Sequence, residues 1–111
     1  MKGDHVGEFE ELVLLAIHGL SRDAYGVAIQ QLLQRETTRS VSLGAVYACL
    51  DRLEAKGLVT SQMTDGTSAR GGRSRRMFRL SPEGARTLAS LRELRARLYG
   101  AARPRTFRGR A

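Results

Sequence analysis

Apolar residues in the first part of the chain recur at helical spacing in three separate stretches. The first begins at Phe9, and shorter ones follow Asp23 and Ser42. Within each stretch the intervals of three and four residues are typical of one buried helical face. The apolar positions are Leu12, Val13, Ala16, Ile17 and Leu20, then Tyr25, Ile29, Leu32 and Leu33, then Val46, Leu50 and Leu53. The pattern predicts three helices, with Gly19 and Gly57 able to end the first and the third.

After Gly57 the spacing of the apolar residues changes to two. Val59, Ser61 and Met63 alternate with polar neighbours, and Arg76, Phe78 and Leu80 do so again beyond a glycine-rich turn region. This alternation predicts a two-stranded β-hairpin with a long, cationic tip. Ser81 and Pro82 then form a helix start, because serine caps a helix and proline fits its first turn. Four leucines line this last helix at intervals of three and four: Leu88, Leu91, Leu94 and Leu98.

The order helix, helix, helix, hairpin, helix predicts a winged helix-turn-helix. The class is mainly α with a small β-hairpin, and a C-terminal helix is available for dimerisation. In this architecture the third helix enters the major groove of DNA and the hairpin, or wing, reaches the flanking backbone. We expect a winged-helix DNA-binding domain over residues 1–81, a dimerisation helix over 82–99 and a disordered basic tail over 100–111.

The positive charge is concentrated in the second half of the chain. The 111 residues carry 19 basic and 11 acidic side chains, a formal net charge of +8. Residues 1–65 hold six basic and nine acidic groups, whereas residues 66–111 hold thirteen and two. Seventeen of the basic residues are arginines, whose planar guanidinium binds phosphate in two places. This asymmetry favours nucleic acid as the partner over an anionic membrane or an acidic protein.

Several classes of protein are excluded by what the chain lacks. One cysteine, Cys49, cannot form an internal disulfide, and with His5 and His18 it cannot build a tetrahedral metal site. The longest apolar run, Leu12 to Ile17, is too short for a membrane span, and early carboxylates argue against a signal peptide. No nucleophile with a credible base and no phosphate-binding glycine loop is present. We therefore expect a soluble cytoplasmic protein that is not an enzyme and needs no metal or cofactor.

Several short motifs resemble the PadR family of bacterial transcriptional regulators. They occur in the family's order and spacing over about residues 8 to 99. The motifs are Phe9-Glu10 to Ile17, Ala24-Tyr25-Gly26-Val27, Ser42-Leu43-Gly44-Ala45-Val46-Tyr47, Leu50-Asp51-Arg52-Leu53-Glu54-Ala55-Lys56-Gly57-Leu58-Val59 and Gly71-Gly72-Arg73 to Ser81-Pro82-Glu83-Gly84. The chain departs from the family pattern at Ala48, where many members have proline, and in having a single C-terminal helix. The resemblance implies a homodimeric repressor that binds an inverted-repeat operator and is often released by a small ligand.

The outer face of the third helix carries few side chains that can read bases. Val46, Leu50 and Leu53 define its buried side, so the small residues fall on the opposite side and permit close approach to a groove. We expect phosphate contacts to supply most of the affinity, and helix-end contacts, DNA shape and two-fold spacing to supply specificity. The predicted DNA-binding residues are Ser42, Leu43, Gly44, Ala45, Tyr47, Ala48, Arg52, Arg70, Gly72, Arg73 and Arg75. A purely structural role stays open for Tyr47, as a half-buried packing ring, and for the loop arginines, as solubilising charges.

The leucine stripe of the last helix predicts a seam between two copies of the chain. The alternative is ordinary core packing within one chain. The predicted interface residues are Leu12, Leu88, Leu91, Leu94 and Leu98, with the first helix of the partner as the mate. A small-molecule effector between the first and last helices is left open and unidentified. Two other functions also stay open: an RNA-binding or ribosome-associated basic module, and a winged helix used for protein contacts.

Overall fold

The computed structural model describes residues 5–64 and 74–101, and these form four α-helices and a two-stranded sheet. In chain order the elements are α1 (Glu8–Leu20), a 3₁₀ turn (Ser21–Asp23), α2 (Gly26–Glu36), α3 (Leu43–Ala55), β1 (Val59–Met63), β2 (Arg76–Leu80) and α4 (Pro82–Ala101). The predicted class, mainly α with a small hairpin, is confirmed. Among the helices of the described ranges, none combines the length and the apolarity needed to cross a membrane.

The end of α1 differs from the sequence-based expectation. The helix continues past Gly19 to Leu20, and the backbone turns at Ser21, whose φ is 56°. Gly19 is therefore not the left-handed residue that ends this helix. At the end of α3 the expectation is confirmed, since Gly57 has a φ of 78°.

The core lies between α1, α2, α3 and the inner face of the hairpin. Its largest fully buried side chains include Leu14, Ile29, Leu50 and Phe78. Cys49 is also fully buried there, and burial raises the pKa of its thiol to about 11. The thiol is thus a small apolar group of the core.

The hairpin is antiparallel and is held against the helices along its second strand. Val59 pairs with Leu80 and Ser61 with Phe78. On the other edge of β2, the Phe78 amide donates to the Ala24 carbonyl oxygen at 2.8 Å, and Tyr25 forms an isolated bridge with Met77. The segment between α1 and α2 therefore fixes where the hairpin sits.

The first turn of α4 is attached to the start of the hairpin. The Ser81 hydroxyl accepts from the Gly84 amide at 2.9 Å and donates to the Gly57 carbonyl oxygen at 2.7 Å. Gly84 is buried, and a Cβ built on it would clash with the carbonyl oxygen of Leu58. Only glycine lets the helix pass this close to the backbone.

Candidate nucleic-acid interface

The first turn of α3 is capped and faces solvent. The Ser42 hydroxyl accepts a hydrogen bond from the Ala45 amide at 3.0 Å, which identifies it as the N-cap. Leu43, Gly44 and Ala45 are all exposed. The structure thus places these four predicted contact residues together at one exposed helix end.

The outer face of α3 is lined by small side chains. Ala48 is exposed in the second turn, one helical turn beyond Gly44, and Ala55 is exposed near the end of the helix. Between them lies Asp51, an exposed carboxylate that was not among the predicted contacts. The face can approach a surface closely, and Asp51 is its one acidic group among the described residues.

Tyr47 lies across the beginning of α2. A Cβ on Gly26 would clash with the hydroxyl and the ring of Tyr47, so the ring packs on the bare backbone of that glycine. Tyr47 as a residue is nevertheless 38% exposed. It is therefore both a packing ring between two helices and an accessible edge beside the start of α3.

Arg52 is tied back to α1 by a buried carboxylate. Its Nε donates to Glu10 Oε2 at 3.2 Å, and Lys56 Nζ donates to Glu10 Oε1 at 2.8 Å. Burial alone would raise the pKa of Glu10, but hydrogen bonds from Lys56, the Gly7 amide and Arg52 outweigh it and lower the pKa. Arg52 is thus an anchor of α3 in addition to being half exposed.

Arg75 is the described member of the predicted wing contacts. Its amide donates to Thr64 Oγ1 at 2.9 Å, and the Thr64 amide donates to the Arg75 carbonyl oxygen at 2.7 Å. The guanidinium lies over the Tyr25 ring, 4.3 Å from its centroid. Arg70, Gly72 and Arg73 lie outside the described residues.

The leucines of α4 divide into two groups. Leu88 is only 4% exposed and packs in the core of its own chain, so it has almost no surface left for a partner, contrary to the expectation for this residue. Leu91 is half-buried, and Leu94 and Leu98 are 42% and 60% exposed. On α1, Leu12 is half-buried, and Leu15, which was not predicted, is 38% exposed.

A second buried carboxylate joins α1 to α4. Arg95 Nε and Nη2 donate to the two carboxylate oxygens of Glu11 at 2.8 and 2.5 Å. These hydrogen bonds lower the pKa of Glu11 against the opposing effect of burial. The sequence gives no sign of the roles of Glu10 and Glu11, because the residues that they bind lie 42 to 84 positions away.

A scan of protein-family models matches residues 13–90 to the transcriptional regulator PadR-like family. The chain belongs to this family. The predicted resemblance and the predicted winged-helix architecture are therefore confirmed. Proteins of this family are transcriptional regulators and not enzymes.

Individual relatives agree with the PadR-like assignment. The transcriptional regulator Rv3488 of Mycobacterium tuberculosis is 37% identical over 87 residues, which cover 75% of this chain and 77% of that protein. A PadR family regulator from Clostridium difficile superposes with a TM-score of 0.73 at 21% identity, covering 91% of this chain and 99% of that one. Another, from Eggerthella lenta, has a TM-score of 0.63 at 28% identity and covers 85% and 81%.

Proposed function

We propose that this PadR-like regulator is a homodimeric repressor that binds an inverted-repeat operator in double-stranded DNA through α3 and the wing. The observation that carries the proposal is the exposed first half of α3. Ser42 caps this end, and small side chains at Gly44, Ala45 and Ala48 leave its backbone accessible to a groove. Leu43, Tyr47 and Arg52 border the same surface.

The wing contributes the cationic part of the proposed interface. Arg75 is exposed at the end of the described hairpin, beside the segment that contains Arg70, Gly72 and Arg73. Guanidinium groups at this position suit contacts with the phosphates that flank the groove. Affinity then depends mainly on charge, and specificity on α3 and on the spacing of two half-sites.

Dimerisation is proposed through the exposed part of α4. Leu91, Leu94 and Leu98 follow one another at helical spacing, and Leu12 and Leu15 offer apolar surface on α1. Leu98→Glu should therefore shift the chain toward monomers in sedimentation velocity. The matched control is Ala96→Glu, which places the same charge on the opposite side of α4, and the dimer should tolerate it. Equal effects of the two changes would contradict this seam.

Binding is tested first by selection from random duplexes and then by titration of the selected duplex at several salt concentrations. Arg75→Gln should weaken binding to all duplexes. It should also reduce the salt slope, which is the steepness of the fall of log affinity with log salt concentration, by about one unit, and Arg70→Gln and Arg73→Gln should have the same effect. Arg35→Gln, an exposed change on α2, is the control and should leave the slope unchanged. An unchanged slope in Arg75→Gln would contradict the wing contact.

Substitutions on α3 should change the preference of the protein among DNA sequences rather than the part of its affinity that depends on salt. Ser42→Ala or Tyr47→Phe should alter the ranking of operator variants. Equal weakening on every duplex would mean that α3 only anchors the protein on DNA and does not distinguish sequences.

Stronger binding to structured RNA than to the selected duplex would support the alternative of an RNA-binding module. Repression is checked by transcription from a promoter that carries the selected site.

A further inference from the structure

Two neighbouring carboxylates of α1 connect the helices on either side of it. Glu10 and Glu11 are 6% and 7% exposed. Glu10 holds Arg52 of α3 and Lys56, the residue directly after that helix, and Glu11 holds Arg95 of α4. One turn of α1 therefore fixes both the helix proposed to contact DNA and the helix proposed to form the dimer.

Two contacts between α4 and the rest of the described chain lie well apart along the helix. The first is its base, where Gly84 and Leu88 are buried. The second is Arg95, which lies eleven residues beyond Gly84, about 16 Å along the helix axis. Two contacts at this separation hold the direction of the helix more firmly than the base alone does.

The pair also lies next to the proposed dimer seam. At about 100° per residue, Gly84, Leu88 and Arg95 share one face of α4, and Leu94 and Leu98 lie about 100° and 60° from Arg95 on the same side. Among the described residues, Arg95–Glu11 is the one ion pair that joins α4 to another element. The Arg95 side chain is 63% exposed and Glu11 is 10% exposed, so the carboxylate is the rigid half of the pair.

We propose that Arg95, held by Glu11, is a positioning residue that sets the distance between the two α3 helices of a dimer and hence the spacing of the half-sites. The inference rests on the proposed function, because it requires a dimer formed through α4. A rigid connection lets the dimer accept one spacing, since each added base pair moves a half-site along and around the duplex. Loss of the pair lets α4 tilt and relaxes that requirement.

The test measures affinity for a series of duplexes that carry the selected half-sites at the natural spacing and at spacings shorter or longer by one or two base pairs. The wild-type dimer should prefer the natural spacing by roughly tenfold over its neighbours, and Arg95→Met should reduce this preference to about twofold. Arg86→Met is the matched control. It removes an exposed arginine paired with Glu83 inside α4, and the preference should stay at its wild-type value.

Because Arg95→Met leaves a buried carboxylate without its partner, the double variant Glu11→Gln with Arg95→Met is measured as well. It removes both charges, and sedimentation and circular dichroism establish that it is a folded dimer. A relaxed spacing preference in this folded dimer supports the proposal. An unchanged preference, or the same loss of affinity at every spacing, overturns it. A wild-type protein that binds no duplex, or binds all spacings equally, would overturn the proposed function as well.

Discussion

Single residues in this chain show where the backbone or a side chain is under constraint. Ser21 is the one non-glycine residue with positive φ among the described residues, at φ 56°. A side chain in this region of φ and ψ costs free energy, because its Cβ crowds the neighbouring carbonyl oxygen. The conformation persists because the Ser21 amide bonds the Ile17 carbonyl oxygen and the paired segment at Ala24 holds the turn in place.

We expect Ser21→Gly to stabilise the fold by about 0.5–1 kcal/mol, since the relief of strain exceeds the added entropy of the unfolded chain. Chemical denaturation measures the change. Ser40→Gly, at an exposed serine without positive φ, is the control and should destabilise slightly. A loss of stability in Ser21→Gly equal to that in the control would contradict the strain at Ser21.

The contact between Tyr47 and Gly26 is equally local. Gly26→Ala should destabilise the protein by about 1–3 kcal/mol, because the new methyl group meets the Tyr47 ring. In a Tyr47→Ala background the same change should cost little, since the ring is gone. A double-mutant cycle on the free energy of unfolding measures this coupling. Additive effects would show that the alanine is accommodated in some other way.

At the scale of elements, two helical glycines have opposite roles. Gly84 lies in the first turn of α4 against the Leu58 carbonyl oxygen, whereas a Cβ on Gly19 in α1 meets nothing within 4 Å. Backbone cannot move aside as a side chain can. The close approach of α4 to the start of the hairpin therefore requires a glycine at position 84.

Gly84→Ala should destabilise the fold by about 3 kcal/mol or more and shift α4 away from Leu58. Gly19→Ala, the matched control, should raise the free energy of unfolding by up to about 1 kcal/mol through helix propensity. Thermal and denaturant unfolding of both variants checks the contrast. Similar small effects in the two would mean that α4 is not held at Gly84.

The elements themselves were predictable, because each follows from local chemistry. Helical spacing, the Ser42 cap, Gly57 and the alternation around Phe78 are all visible in the sequence. The partners of Glu10, Glu11 and Leu88 were not, because a carboxylate in a first helical turn looks solvated and a leucine stripe looks continuous. Which of those groups becomes buried depends on how α1, α3 and α4 pack, and this depends on contacts between residues far apart in sequence.

At the scale of the whole molecule, folding is linked to pH through the two buried carboxylates. The pKa values of Glu10 and Glu11 are lowered below the ordinary 4.5 in the folded chain. Their contribution to stability is therefore fully present above pH 4.5 and is lost as the pH falls through the lowered values. Unfolding separates these carboxylates from Arg52, Lys56 and Arg95.

We expect the free energy of unfolding to fall as the pH is lowered below 4.5, with a smaller pH dependence in Glu11→Gln than in the wild type. Denaturation curves over this range measure the slope. The matched control is Glu36→Gln, at an exposed carboxylate of α2. If the free energy of unfolding of Glu11→Gln depended on pH as steeply as that of the wild type, the lowered pKa of Glu11 would be contradicted.

The hydrogen bonds at the two ends of the hairpin determine how its strands respond to a change in length between them. Its two strands are joined at both ends, by the Ser81 amide to the Leu58 carbonyl oxygen at 3.0 Å and by the paired Thr64 and Arg75. The register of β1 and β2 is therefore set by contacts on the described side of Thr64 and Arg75, and it does not depend on the number of residues between them. Relatives that differ in length between these two positions can thus share one hairpin.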